Sequence, residues 1–253
     1  MKSLGRALSA EVLKLKRTLA LWLAVGYPVP LLTLLAFTFI LRPAVYLGVA
    51  PQQRWATYTS FAFVGQLWAF LMLGLLVTIE TTLLAGLEHS DKEWKYLFAL
   101  PIPRWSVYMA KVVVGMGLVG MSSLVLWAGI LLIPLLAGFV RPAIAFAGPV
   151  PWLVVLSQLG LVYLAAWLMI ALQTWVSVRW SNFVVGIGVG ITAVIVGVIL
   201  SDGQSYGFVH YYPWLFPFFA LSSSTQSPVI LGVLGGLTFS VIGCWEMTRR
   251  DVL

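Results

Sequence analysis

Few residues in this chain are of a type that does chemistry. The two histidines, His89 and His210, and the one cysteine, Cys244, lie far apart in sequence. One cysteine excludes a disulfide within the chain and any Cys-based zinc site, and the spacing does not suit a His-rich metal cluster. Asp202 and His210 share a loop with several serines, but nothing in the spacing supports a triad. Gly115-Met116-Gly117-Leu118-Val119-Gly120 spells G-x-G-x-x-G inside an apolar run with no strand before it, so a dinucleotide reading fails on context. No G-x-x-x-x-G-K-[ST], H-E-x-x-H or G-x-S-x-G occurs. Gly186/Gly190 and Gly232/Gly236 have the G-x-x-x-G spacing that lets helices approach closely. Gln66, Gln158, Gln173 and Tyr163 are too scattered to define a cargo site. The chain has no catalytic, cofactor or metal set of its own in this reading.

The elements that must position these residues follow from the charges. Of 253 residues, 61% are apolar and 9% charged, and the mean hydropathy is +0.99. Soluble domains carry about 25% charged residues. Arg17–Arg42, Arg54–Glu80, Lys111–Arg141, Arg141–Arg179, Arg179–Asp202 and Asp202–Glu246 each enclose at least 22 uncharged residues. A bilayer core needs about 20 per helix. The sequence predicts an all-α integral membrane protein with six transmembrane helices near 18–41, 58–82, 112–136, 152–176, 183–200 and 227–245. Trp22, Trp55, Tyr58, Trp105, Trp152 and Trp180 fall near the ends of these spans, as interfacial belts require. Twelve lysines and arginines fall on one side and three, Arg42, Arg54 and Arg141, on the other. This bias places both termini in the cytoplasm. No signal peptide, repeat or linker is expected. The whole of 1–253 reads as one domain: an amphipathic helix at 1–17, a bundle at 18–245 and a tail at 246–253.

Three short segments carry the rest. In 2–19, Leu4, Leu8, Val12, Leu15 and Leu19 share an arc opposite Lys2, Arg6, Lys16 and Arg17. This is a basic interfacial helix, with Glu11 at the edge of its apolar arc and Lys14 one turn away. It is either a plain membrane anchor or a contact for a cytoplasmic partner. Between spans two and three, Ser90-Asp91-Lys92-Glu93 has the form of a capping box. A helix from there sets Trp94, Leu97 and Phe98 on one face and Asp91, Lys92 and Lys95 on the other. Leu100-Pro101-Ile102-Pro103 stops it, and Arg104 or Trp105 begins the next helix. That short helix is either a simple loop helix or a knob for something soluble. In 201–226, the apolar run Tyr211 to Leu221 is too short to span and is broken by Pro213 and Pro217. A re-entrant external cap and an outer-leaflet aromatic anchor both fit it. Glu80 is the ionisable residue nearest the membrane interior. It is expected near the inner boundary, as a gate or an ion-pair latch with Arg179, or as a structural hydrogen bond.

Residues Glu88, Trp94-Lys95, Leu97, Leu100-Pro101, Arg104, Tyr108 and Lys111 resemble the first cytoplasmic loop of ABC-2-type transporter permeases. The flavour is that of the lantibiotic-immunity and peptide-antibiotic-resistance subfamily. Glu11 to Thr18 and Arg249-Arg250-Asp251-Val252 resemble that family's entry helix and ending. The resemblance implies a bacterial inner-membrane exporter subunit without its own ATPase. It would assemble with a second permease chain, identical or homologous, and with two ABC ATPase subunits that hold ATP and Mg. The helix at 90–100 would be the coupling helix, with Glu88, Trp94, Lys95, Leu97, Phe98 and Arg104 as coupling residues, braced by the helix carrying Glu11 and Lys14. The cargo would be amphipathic or a peptide. An ion- or proton-coupled carrier or channel using Glu80 is the rival reading, and a membrane scaffold protein is a third.

Overall fold

A computed structural model describes residues 2–16, 18–60, 66–90, 103–180, 182–202, 207–222 and 226–249. Among them no strand forms. Helix α1 (Lys2–Leu15) leads into a first span made of α2 (Leu19–Gly26) and α3 (Val29–Leu41), followed by short α4 (Pro43–Leu47) and α5 (Arg54–Ser60). The second span includes a π turn, Trp68–Met72, and runs on as α6 (Leu73–Ser90). Helix α7 (Arg104–Val140) is the third span. The fourth is α8 (Trp152–Ala165) with α9 (Trp167–Arg179), bent by 41°. Helix α10 (Phe183–Asp202) is the fifth, and α12 (Ser227–Arg249) the last. Between these two lie the short turns Gly207–Tyr211 and Pro213–Leu215, then α11 (Phe216–Ser222). Five of these spans are long and apolar enough to cross a bilayer, and the bent pair makes a sixth. The described residues of all six expected segments are thus mostly helical where the charge gaps put them.

Two boundaries differ from expectation. The second span reaches Ser90, past its expected end at 82. Arg54, which the charge count treated as a solvated flank, opens α5. It is buried, and its guanidinium donates to the carbonyls of Val49 (3.2 Å), Ala143 (3.0 Å) and Ala145 (2.6 Å). Arg54 therefore staples two loops together. Trp55 and Tyr58, expected in an interfacial belt, are buried beside it with Phe39, Tyr46 and Phe146. Phe39 stacks on Tyr46 at 4.6 Å and Trp55 meets Phe146 at 4.9 Å. Trp22, Trp105, Trp152 and Trp180 are exposed, as belt residues should be. The third span is longer than its apolar run: its 37 residues reach roughly 55 Å, against about 30 Å of hydrocarbon.

Two proline breaks shape the bundle, and the carbonyl that each frees accepts from a hydroxyl. Pro28 has no N–H for the carbonyl of Ala24, four residues back. The span breaks there, and Ser122 Oγ on α7 donates to Ala24 O at 2.5 Å. Pro134 sits inside α7 and frees the carbonyl of Ile130 in the same way. Tyr58 OH donates to it at 2.7 Å. Neither carbonyl is left as a buried orphan, which would cost about 1–3 kcal/mol.

The glycine pairs close the helices onto each other. A Cβ at Gly186 would stand 3.0 Å from the Thr82 side chain, and one at Gly190 would overlap Thr78, so α10 rides directly on α6. A Cβ at Gly236 would lie 2.7 Å from the backbone of Trp167, and one at Gly232 would overlap Ala165, so α12 does the same to the α8–α9 bend. The G-x-G-x-x-G run lies wholly inside α7, away from any strand.

The segment before the last span folds back against the bundle. Val209, Leu215, Phe216 and Phe219 are buried. Tyr212 OH donates to Ala193 O at 2.7 Å, nine positions inside the end of α10 at Asp202. Phe218 meets Phe70 of the π turn at 5.3 Å. The segment plugs the bundle on the side of the Arg54 headpiece.

Helix α1 is turned differently from its expected arc. Its buried residues are Ala7, Glu11 and Leu15, whereas Val12 and Leu19 point away from the protein. One flank of the apolar arc packs on the bundle and the other is left for lipid. Glu11, expected at the edge, is at the centre of the packed face.

Candidate functional site

The candidate site is the end of the bundle from which residues 91–102 depart. Helix α6 ends at Ser90 and α7 begins at Arg104, so these two helices flank that segment. Trp94, Lys95, Leu97 and Phe98, with the expected helix at 90–100, lie outside the described residues. Glu88 stands in the last turn of α6, and its side chain is also outside the description. Arg104 is partly buried in the first turn of α7. Pro103 has extended backbone angles and accepts a hydrogen bond from Ser106 Oγ at 2.7 Å, which starts α7 where the proline stop predicted it.

Lys111 stands two turns further along α7. It is 1% exposed. Its Nζ donates to Glu11 Oε2 at 3.2 Å and to the carbonyl of Leu84 on α6 at 3.0 Å. Lys14 lies 3.6 Å from the other Glu11 oxygen. Three elements are thereby tied at one point: α1, and the two helices that flank 91–102. Ala7 and Leu15, one turn to either side of Glu11, complete the packed face. A buried pair of this kind is strongly destabilised when one partner is removed, by about 3–5 kcal/mol.

A second ion pair closes the same end. Arg179, at the last turn of α9, pairs with Glu246 of α12, and Trp175 Nε1 donates to the same carboxylate at 2.5 Å. The Arg179 guanidinium also sits 5.7 Å from the rings of Trp175 and Trp180. Beneath it, Ala85, Tyr108, Val112, Val178 and Met247 form an apolar cluster that joins α6, α7, α9 and α12.

The conceived pairing of Arg179 with Glu80 does not form, because Arg179 is taken by Glu246. Glu80 has zero exposure, and among the described residues neither of its carboxylate oxygens has a hydrogen-bond partner. It shares a face of α6 with Leu73, Leu76 and Leu84. It lies one turn deeper than Leu84, whose carbonyl holds Lys111, and so above the level of the charged end. The structural hydrogen bond weighed for Glu80 is not found among the described residues. The other interior polar groups serve packing: Gln173 Nε2 donates to Gly186 O at 2.7 Å, and Thr82 and Ser177 hydroxyls lie 3.3 Å apart. Among the described residues no three His, Cys, Asp or Glu side chains gather as metal ligands.

Sequence reasoning named Glu11 and Lys111 in separate motifs and did not join them. The available signal was a carboxylate at the edge of the apolar arc of α1, and its local cation, Lys14, engages only one of its two oxygens. Arg54, Ser122 and Tyr58 were missed as well, although Pro28 and Pro134 announce the carbonyls two of them serve.

A model of the ABC-2 family transporter protein matches residues 7–197, which takes in α1, the Lys111 junction and five of the six spans. No curated protein and no solved structure matches the chain.

Proposed function

From the premise that this chain belongs to the ABC-2 transporter family, a family of membrane components that are not themselves ATPases, we propose that it is an exporter permease driven through the 91–102 segment. In this reading two ABC ATPase subunits, holding ATP and Mg, dock on a coupling helix at 90–100. Trp94, Leu97 and Phe98 fill a cleft in the ATPase, and Lys95 and Arg104 meet acidic groups at its rim. Glu88 belongs to the same set. A second permease chain, identical or homologous, completes the assembly. Both termini lie in the cytoplasm of a bacterial inner membrane, and the cargo is an amphipathic or peptide antibiotic.

The observation that supports this reading is the Lys111 junction. A pull on 91–102 acts on α6 and α7, and both are tied to α1 by one buried side chain. Glu11 and Lys14 then brace the coupling segment, and α1 and the two flanking helices move as one piece. The test is co-expression with an ABC ATPase encoded beside it. Trp94→Ala and Lys95→Glu are expected to abolish co-purification and transport-coupled ATP hydrolysis. Unchanged assembly and hydrolysis in both variants would contradict the reading.

One observation favours a second reading, an ion- or proton-coupled carrier gated by Glu80: the carboxyl is fully enclosed and unpartnered among the described residues. Groups of this kind inside a membrane mark ion pathways in many proteins. Cargo flux in proteoliposomes holding this chain alone, lost on Glu80→Gln, supports the second reading over the first.

A further inference from the structure

The same four-residue pattern ends two spans: Arg42-Pro43-Ala44-Val45 after α3 and Arg141-Pro142-Ala143-Ile144 after α7. We propose that these two arginines form a two-pronged site for the phosphate of an anionic phospholipid, in the leaflet at the end of the bundle opposite the Lys111 junction. The site rests on neither reading of the chain's function.

A proline pushes the residue before it out of the helical region. Arg42 (φ −130°, ψ 50°) and Arg141 (φ −134°, ψ 87°) therefore close their helices in similar backbone conformations. Each N–H still bonds the carbonyl four residues back, at 2.9 Å. Each turn then drops one side chain, Tyr46 or Ile144, into the same apolar cluster. The two turns pack on each other. Arg54 clamps them by donating to Val49 O behind the first and to Ala143 O within the second. The helices below run side by side: Ser122 on α7 bonds Ala24 O, and Leu32 fills the space a Cβ at Gly129 would take. Leu32 to Arg42 is ten positions and Gly129 to Arg141 twelve, or roughly 15 and 18 Å at helical rise, so the arginines end at nearly one depth. Neighbouring helix axes stand about 8–10 Å apart, a gap that two long side chains close onto one phosphate.

Both arginines are exposed, whereas Arg54, the third cation of this end, is spent on loop carbonyls. No Asp or Glu occurs anywhere in 12–79 or 94–201, and among the described residues neither Arg42 nor Arg141 has an ion pair. Asp202, the one acidic residue of this end, closes α10, which packs on α6. The two charges are thus open to an anion from outside the chain, and a guanidinium takes phosphate oxygens two at a time. Depth makes that phosphate a lipid's. Lys111 to Arg141 is thirty positions along α7, or about 45 Å, the thickness of a bilayer with its headgroups. The pair before each arginine faces outward: Ile40 and Leu41 are 67% and 75% exposed, Phe139 and Val140 88% and 82%. They give acyl chains a surface directly under the charge, which a soluble anion would leave bare. A zwitterionic headgroup would bring its own ammonium beside two guanidiniums with no carboxylate to receive it, so the net-negative lipid is preferred.

The test maps bound lipid on the full chain in phosphatidylcholine vesicles that hold a small fraction of a photoreactive probe. The probe is phosphatidylglycerol with a diazirine beside its headgroup, and phosphatidylcholine carrying the same group is the reference. In the wild type the phosphatidylglycerol probe is expected to label 42–47 and 141–144 at least about tenfold more than the reference, the gain of one charge-assisted hydrogen bond or more. Equal labelling by the two probes overturns the proposal and needs no variant. Arg42→Gln with Arg141→Gln is expected to lose the excess. Arg6→Gln with Lys16→Gln, which removes the same charge from exposed positions of α1, is expected to keep it. An excess that survives the first pair of changes overturns the proposal. So does one that falls as far with the second pair, which would assign the effect to net charge. Labelling of α1 in the first variant reports that it is folded. In the wild type, an excess removed by inorganic phosphate would assign the arginines to a soluble anion and overturn the choice of a lipid.

Discussion

Lys111 Nζ and Glu11 Oε2 lie 3.2 Å apart in a site closed to water, a hundred residues apart in the chain. The pair fastens an interfacial helix to a membrane span, and the same ammonium reaches the backbone of the neighbouring span at Leu84. It stands between the two helices that flank residues 91–102.

Breaking that pair from one side is expected to cost more than removing it whole. Lys111→Met leaves Glu11 enclosed with its main cation gone and should lower stability by about 3–5 kcal/mol. Glu11→Gln combined with Lys111→Met should recover most of that loss, because neither charge is then stranded. Thermal unfolding in detergent of the two singles and the double checks this. A double variant as weak as the sum of the singles would contradict it.

The proline-freed carbonyls give a cleaner cycle. Tyr58→Phe removes the donor to Ile130 O and should cost about 1–3 kcal/mol, the penalty of a buried unsatisfied carbonyl. In a Pro134→Ala background residue 134 supplies its own N–H, and the same change should cost well under half as much. Ser122→Ala with and without Pro28→Ala should behave alike at Ala24 O. Equal losses in both backgrounds would show that these hydroxyls do not serve the freed carbonyls.

These details mark the limit of what the sequence discloses. Periodicity and charge gaps are local, so they placed the six spans, and the proline run announced the helix start at Arg104. The spacings at Gly186/Gly190 and Gly232/Gly236 correctly announced close helix contacts. Which distant groups meet is a property of packing, and the linear pattern is silent on it. Arg54 looked like a solvated flank because a charge carries no mark of burial. Glu11 looked peripheral because its partner is on another helix. Trp94, Lys95, Leu97 and Phe98, the residues proposed for coupling, are legible only through the resemblance and the proline stop after them.

Glycines on the two kinds of helix face should respond in opposite ways to the same methyl group. Gly236→Ala drives a Cβ into the backbone of Trp167 and Leu168, which cannot step aside, and should destabilise by about 2 kcal/mol or more. Gly188→Ala meets open space and should be neutral or gain up to about 1 kcal/mol of helix propensity. Unfolding midpoints in one detergent compare them. A mild Gly236→Ala would mean that α12 does not ride on the α8–α9 bend.

The central claim is that the stretch after α6 faces the cytoplasm and receives a separate ATPase. Its most direct test is labelling of a single cysteine. Cys244→Ser removes the only native thiol, and Lys95→Cys, alone or with Trp94→Ala, places a new one in that stretch. A membrane-impermeant maleimide is then applied to right-side-out and inverted vesicles. Labelling only in inverted vesicles, with the Lys95→Cys single variant protected by the co-expressed ATPase, is the predicted result. Labelling from the external side, or a rate that the ATPase leaves unchanged in the single variant, would contradict the account.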